Sequence, residues 1–149
     1  MSWTLLLGGA AAAGLLLHDS DPDHHDVVEE TYEQLKSESP ANAKVFADHV
    51  DGAPNPRGEV EGLDHVPDVV VKSGAANSLL VEVETKDSLT NSASEAKQQL
   101  QDFSKSGYRR ILVVPKEDSD KAKEFADNIE DDLSGEYYLS TPKKVTELL

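Results

Sequence analysis

The sequence predicts an α/β fold, a mixed β-sheet flanked by helices. Three observations carry this. "PDVVVKSG" and "LLVEVETK" read as two short apolar strands joined through "GAAN", a hairpin. "RRILVVP" is a continuous apolar run, as in a strand buried on both faces. Around that run lie two stretches with apolar residues at helical spacing.

The elements follow in order. "WTLLLGGAAAAGLLL", Trp3 to Leu17, is uncharged and apolar. It is shorter than the roughly 20 residues a spanning helix needs. No basic residue precedes it, so a signal peptide's n-region is missing. It reads as a buried or interface helix, a mis-assigned start, or a short membrane anchor through residues 3–17. The polar stretch "HDSDPDHHD" follows. The expected organisation is an apolar segment with linker over residues 1–25 and a folded domain over residues 26–149. The expected location is cytoplasmic, with membrane association through the apolar segment as the variant.

"DVVEETYEQLKSES" places Val28, Tyr32 and Leu35 at helical spacing, and predicts a helix ending before Pro40. "AKVFADHV" fits a strand or a helix. "DGAPNPRGEVEGLDH" is rich in Gly and Pro and reads as a loop. The hairpin strands start at Pro67 and run, in the second, from Leu79 to Lys86. "SASEAKQQLQDFSKSG" gathers Ala93, Ala96, Leu100 and Phe103 on one helical face, with Gly107 as its C-cap. After the buried strand, "DSDKAKEFADNIEDDLSG" puts Ala122, Phe125, Ala126, Ile129 and Leu133 inward. "EYYLST" is a last strand and "PKKVTELL" a last helical turn or two.

The chain has 149 residues, one domain by default, and no cysteine. Disulfides, zinc–thiolate sites and thiol chemistry are therefore excluded. The formal net charge is −15, from 29 acidic and 14 basic side chains. The acids run through periodic segments, so they are not a disordered tail. Adaptation to high salt, where ions screen repulsion, is favoured over an acidic partner-binding surface. Bulk charge opposes nucleic-acid binding. Arg57, Lys72, Lys97, Lys105, Arg109 and Arg110 are expected to form a local basic rim. No P-loop, GxGxxG or GxSxG motif occurs.

The chemistry concentrates in the hairpin. In a strand, alternate side chains share a face, so Glu82, Glu84 and Lys86 would point one way. Asp68 opens the neighbouring strand. Adjacent strands lie about 4.8 Å apart, so carboxylates on each can share a hard cation. Mg²⁺ takes oxygen ligands and keeps several waters. A lysine beside it would assist an attacking water or stabilise charge on phosphate. Acids in valine- and leucine-rich strands are costly unless paired or metal-bound.

"PDVVV" followed by "VEVETK" resembles the PD-(D/E)xK phosphodiesterase core of restriction endonucleases, archaeal Holliday junction resolvases and RecB-type nucleases. The likeness runs from Pro67 to Pro115. Pro67-Asp68 matches PD, Glu84-Thr85-Lys86 matches ExK, and "QLQDF", Gln99 to Phe103, resembles the Q-h-x-x-Y element. The resemblance implies a restriction endonuclease-like core and a metal-dependent nuclease that hydrolyses DNA phosphodiester bonds. It implies Asp68, Glu84, Lys86 and Gln99 as catalytic residues. Asp68 with Glu84 or Glu82 would be the ligands of Mg²⁺ or Mn²⁺. DNA is the implied partner, and a homodimer would engage two strands.

A second register also fits. There Glu82 is the strand acid and Glu84 stands where the family carries lysine. Both registers keep one face, because the shift is two residues. Further candidates are Glu29, Glu30 and Glu33 on the preceding helix, more simply exposed helix acids. His65 before Asp68 reads more simply as a loop histidine, and His24 and His25 as linker residues that could bind a metal adventitiously. Two other functions stay open: a non-cutting nucleic-acid-binding or assembly module on the same fold, and a membrane-tethered acidic accessory protein.

Overall fold

The computed structural model describes residues 2–7, 23–73 and 78–149. Its elements are β1 (Ser2–Leu6), α1 (His24–Glu38), β2 (Lys44–Ala47), β3 (Val69–Lys72), β4 (Leu79–Val83), α2 (Lys86–Asn91), α3 (Ala93–Phe103), β5 (Arg109–Val113), α4 (Ser119–Ile129) and β6 (Glu136–Ser140). The strands form one mixed sheet in the order β1-β6-β5-β4-β3-β2. β1, β6, β5 and β4 run parallel, while β3 is antiparallel to both β4 and β2. This is the α/β architecture, with helices on both faces of the sheet.

Local sequence explains each piece. Asp23 caps α1 by accepting the Asp26 N–H at 2.9 Å. Val27, Val28, Thr31, Tyr32 and Leu35 make its buried stripe. The helix stops at Ser39, since a residue before proline disfavours the α region. α1 covers one sheet face, where Val28 and Leu35 pack with Val69, Val81, Val83, Ile111 and Val113. The opposite face holds Val70, Leu80 and Phe103, continuing into Leu100, Leu112, Phe125 and Leu139 under α3 and α4. Alternate residues of β4 therefore face opposite layers, and all five are buried.

Three expectations change. The strand beginning at Leu79 ends at Val83, not at Lys86. Thr85 and Ser88 form a capping box that starts a helix there, so Lys86 is the first residue of α2. The ambiguous "AKVFADHV" contains the edge strand β2. The N-terminal apolar run does not begin as a helix. Ser2–Leu6 pairs parallel with β6, from Ser2 opposite Glu136 to Leu6 opposite Ser140. Trp3 meets the Tyr137 ring at 5.5 Å, while Leu5, two residues on and on the same face, is half exposed, as the outer strand of a sheet allows. Residues 3–6 thus belong to the sheet. The rest of that run and the "GAAN" turn fall outside the described residues. No helix among the described residues is long and apolar enough to cross a membrane.

Candidate functional site

Asp68 immediately precedes β3. Extending the Val69–Val81 register by one step sets Asp68 opposite Glu82. Asp68 Oδ2 accepts the Val83 N–H at 2.8 Å and lies 3.2 Å from His24 Nε2. Glu82 shares the face of Leu80, is 3 % exposed, and its Oε1 has no hydrogen-bond partner among the described residues. Glu84 is also buried, and its N–H still donates to Val113 O at 3.0 Å. The ladder therefore runs one step past β4 before the chain turns into α2. Asp68, Glu82, Glu84 and His24 meet at this strand end.

Crowding carboxylates in a dry place makes ionisation costly. Burial, then the charges of Asp68 and Glu84, push the Glu82 carboxyl well above the usual range. Burial also pushes Glu84 up, to about 7; the Ser88 hydroxyl and His24 pull it back, while Asp68 and Glu95 add to the rise. The hydrogen bond to Asp68 raises His24 against the opposing effect of burial, and the Asp68 and Glu84 charges help. The four groups thus sense one another electrostatically.

Other expected residues fall elsewhere. Lys86 is exposed at the start of α2, and it is not among the groups whose charge moves Glu84. Gln99 is half-buried on α3. It lies one turn beyond Glu95, about 6 Å further along the helix axis. Glu29, Glu30, Glu33 and His25 are exposed on α1. His65 turns to Asp102, with Nδ1 3.1 Å from Oδ2.

Five of the six residues expected to form a basic rim are engaged with acids or aromatic rings. Lys72 pairs with Glu59, Lys97 with Asp132, and Lys105 with Asp102 and Asp64. Arg109 and Arg110 lie against the Tyr138 and Tyr137 rings. Lys72, Arg109 and Arg110 occupy strand ends opposite to the one bearing Glu84, because β3 runs against β4 while β5 runs with it.

Do these residues suit a divalent cation? The donor chemistry does: hard oxygens from adjacent strands, one of them buried and without a hydrogen-bond partner among the described residues. Among the described residues no group of three or more His, Asp or Glu side chains stands close enough together to hold a metal ion as placed. Asp68 Oδ2 is engaged by His24 and Val83. The set suits an ion that keeps several waters, as Mg²⁺ does, better than an all-protein cage.

His24 is the member that the sequence reading placed in a linker. Its signal was slight: Asp23 is an N-cap residue, which places His24 at the first turn of α1 rather than in a linker. The chain matches no protein-family model, no curated protein and no solved structure.

Proposed function

We propose that this protein is a divalent-cation-dependent nuclease of the PD-(D/E)xK type, hydrolysing phosphodiester bonds in DNA. One observation carries the reading. Two adjacent strands bring Asp68, Glu82 and Glu84 to one end of a buried sheet, with Glu82 Oε1 buried and unpartnered among the described residues. A sequence tolerates such a cluster only where something offsets its cost. The element order α1-β2-β3-β4-α2-α3-β5, with the short α2 as an addition, also agrees with a restriction endonuclease-like core.

Asp68, Glu82 and Glu84, with His24 beside them, would hold Mg²⁺ or Mn²⁺. When bound, the cation supplies Lewis-acid activation of water and neutralises charge on phosphate. The protein's own groups do the rest. The register favours Glu82 as the strand acid and Glu84 in the place of the family's lysine. A carboxyl near 7 can take up or release a proton at neutral pH. His24, once free of Asp68, has a ring nitrogen available to a ligand or a proton.

The test is cleavage of single-stranded, duplex and branched DNA in high salt with Mg²⁺ or Mn²⁺. Cleavage lost in Asp68→Asn and in Glu84→Gln supports the reading. No cleavage on any substrate with either metal overturns it. The position of Lys86, outside the acid cluster, favours a second reading, a metal-binding module on the same fold that does not cut. Its signature is Mn²⁺ binding that depends on Asp68, with all DNA substrates left intact.

A further inference from the structure

We infer that Asp118 is a positioning residue for Glu84, holding the β4–α2 junction from beyond the end of the neighbouring strand β5. The inference rests on the site read above. Asp118 lies in the turn after β5, at the N-cap position of α4. An aspartate there ordinarily accepts an N–H from its own helix. This one makes no such cap bond to α4. It is 3 % exposed, and its Oδ2 accepts the N–H of Lys86 at 2.8 Å. Lys86 is the first residue of α2, so that N–H has no partner within its own helix. The carboxylate that could start α4 caps α2 instead.

The location of that bond gives it a role. β4 ends at Val83, so the path of the chain through Glu84 is set by what grips it afterwards. Glu84 N–H is held by Val113 O at 3.0 Å. Thr85 N–H is held by Ser88 Oγ at 2.9 Å. Lys86 N–H is held by Asp118. The first two fix one residue to β5 and one to its own turn. The third ties the turn to the start of α4 through an acceptor that is itself buried. Metal ligands must be held within about 0.5 Å of their working geometry by the groups behind them. Asp118 supplies that hold two residues beyond Glu84.

The backbone offers a clean way to remove the bond. Proline is well tolerated at the first helical position, and it has no N–H. Thr85 has φ −112 and ψ 170, the extended region favoured before proline. Lys86→Pro therefore deletes the donor, and Lys86→Ala keeps it while deleting the same side chain. Asp118→Ala deletes the acceptor, and Asp118→Asn keeps an acceptor oxygen.

The readout is Mn²⁺ affinity by electron paramagnetic resonance, in roughly 1 M KCl to screen diffuse binding. Lys86→Pro and Asp118→Ala should weaken binding about tenfold, the usual effect of losing a group that supports a ligand. Lys86→Ala and Asp118→Asn should stay close to wild type. Leu133→Ala, a core loss elsewhere, should lower Tm and leave affinity intact. Wild-type affinity in Lys86→Pro, or an equal loss in Lys86→Ala or Leu133→Ala, overturns the inference while the metal site stands. Wild-type protein that binds no Mn²⁺, or binds it equally in Asp68→Asn, overturns the site itself.

Discussion

His24 and Asp68 are 44 residues apart in sequence and 3.2 Å apart in space. The contact joins the first turn of α1 to the start of β3, and it brings an imidazole to a cluster of acids. Its main consequence is for titration. The Asp68 carboxylate raises His24 above 6.5 against the effect of burial. In Asp68→Asn burial acts with less opposition, so the His24 pKa should fall. Histidine ring resonances followed against pH measure this, and an unchanged His24 midpoint would show that the pairing does not form. The stabilisation it gives is present below 6.5 and fades as pH rises through the raised value. His24 is about half exposed, so the effect on stability should be small.

Glu84 gives a larger effect of the same sign. Its carboxyl keeps its proton up to about 7 when folded and loses it near 4.5 when unfolded. Metal-free protein should therefore lose stability as pH rises from about 4.5 to 7, then level off. The full loss is on the order of 3 kcal/mol. Urea melts across this range should show the slope in wild type and a flatter line in Glu84→Gln. Parallel lines for the two proteins would contradict the assigned burial.

Glu82 separates stability from binding. Its carboxyl is raised further into the neutral form by burial and by Asp68 and Glu84. Glutamine matches that form in size and charge. Glu82→Gln should therefore be at least as stable as wild type at pH 8 without metal, while Mn²⁺ affinity falls by about tenfold or more. A variant both less stable and equally able to bind would point to a purely structural acid.

Asp102 titrates in the opposite sense. Burial pushes its carboxyl up, but Lys105, the Asp64 and His65 N–H groups and the His65 ring outweigh this and hold it at about 2. These bonds, 2.8 to 3.1 Å long, pin the loop before Asp68 to α3. Asp102→Ala should cost about 3 kcal/mol at pH 7, because buried donors lose a charged acceptor. The stabilisation is present above 3.8 and lost as pH falls toward 2, so the gap between variant and wild type should narrow below about pH 4. A gap that stays constant into acid would show that the carboxylate charge does not matter there.

Much of the fold was legible in the sequence because its signals are local. Val69 to Val71 and Ile111 to Val114 are buried runs, and the stripes of α1, α3 and α4 follow helical spacing. The parallel order β6-β5-β4 follows from two helix crossovers. The misses are non-local. Nothing in "SWTLL" says that it pairs with residues at the other end of the chain. Lys86 was misplaced because period two was carried past the capping box formed by Thr85 and Ser88. In the site, Asp68, Glu82 and Glu84 were found from adjacent strands. His24 arrives from a helix, and no spacing rule links it to Asp68.

The pairing of Ser2 with Glu136 has a consequence for synthesis. β1 leaves the ribosome well before its pairing partner β6. At typical translation speeds it waits roughly ten seconds for β6 to emerge. During that wait Trp3, Leu5 and Leu6 stand uncovered beside an unfinished sheet. Variants that slow β6, or that lengthen the wait, should raise the demand for chaperones before they change the stability of the finished protein.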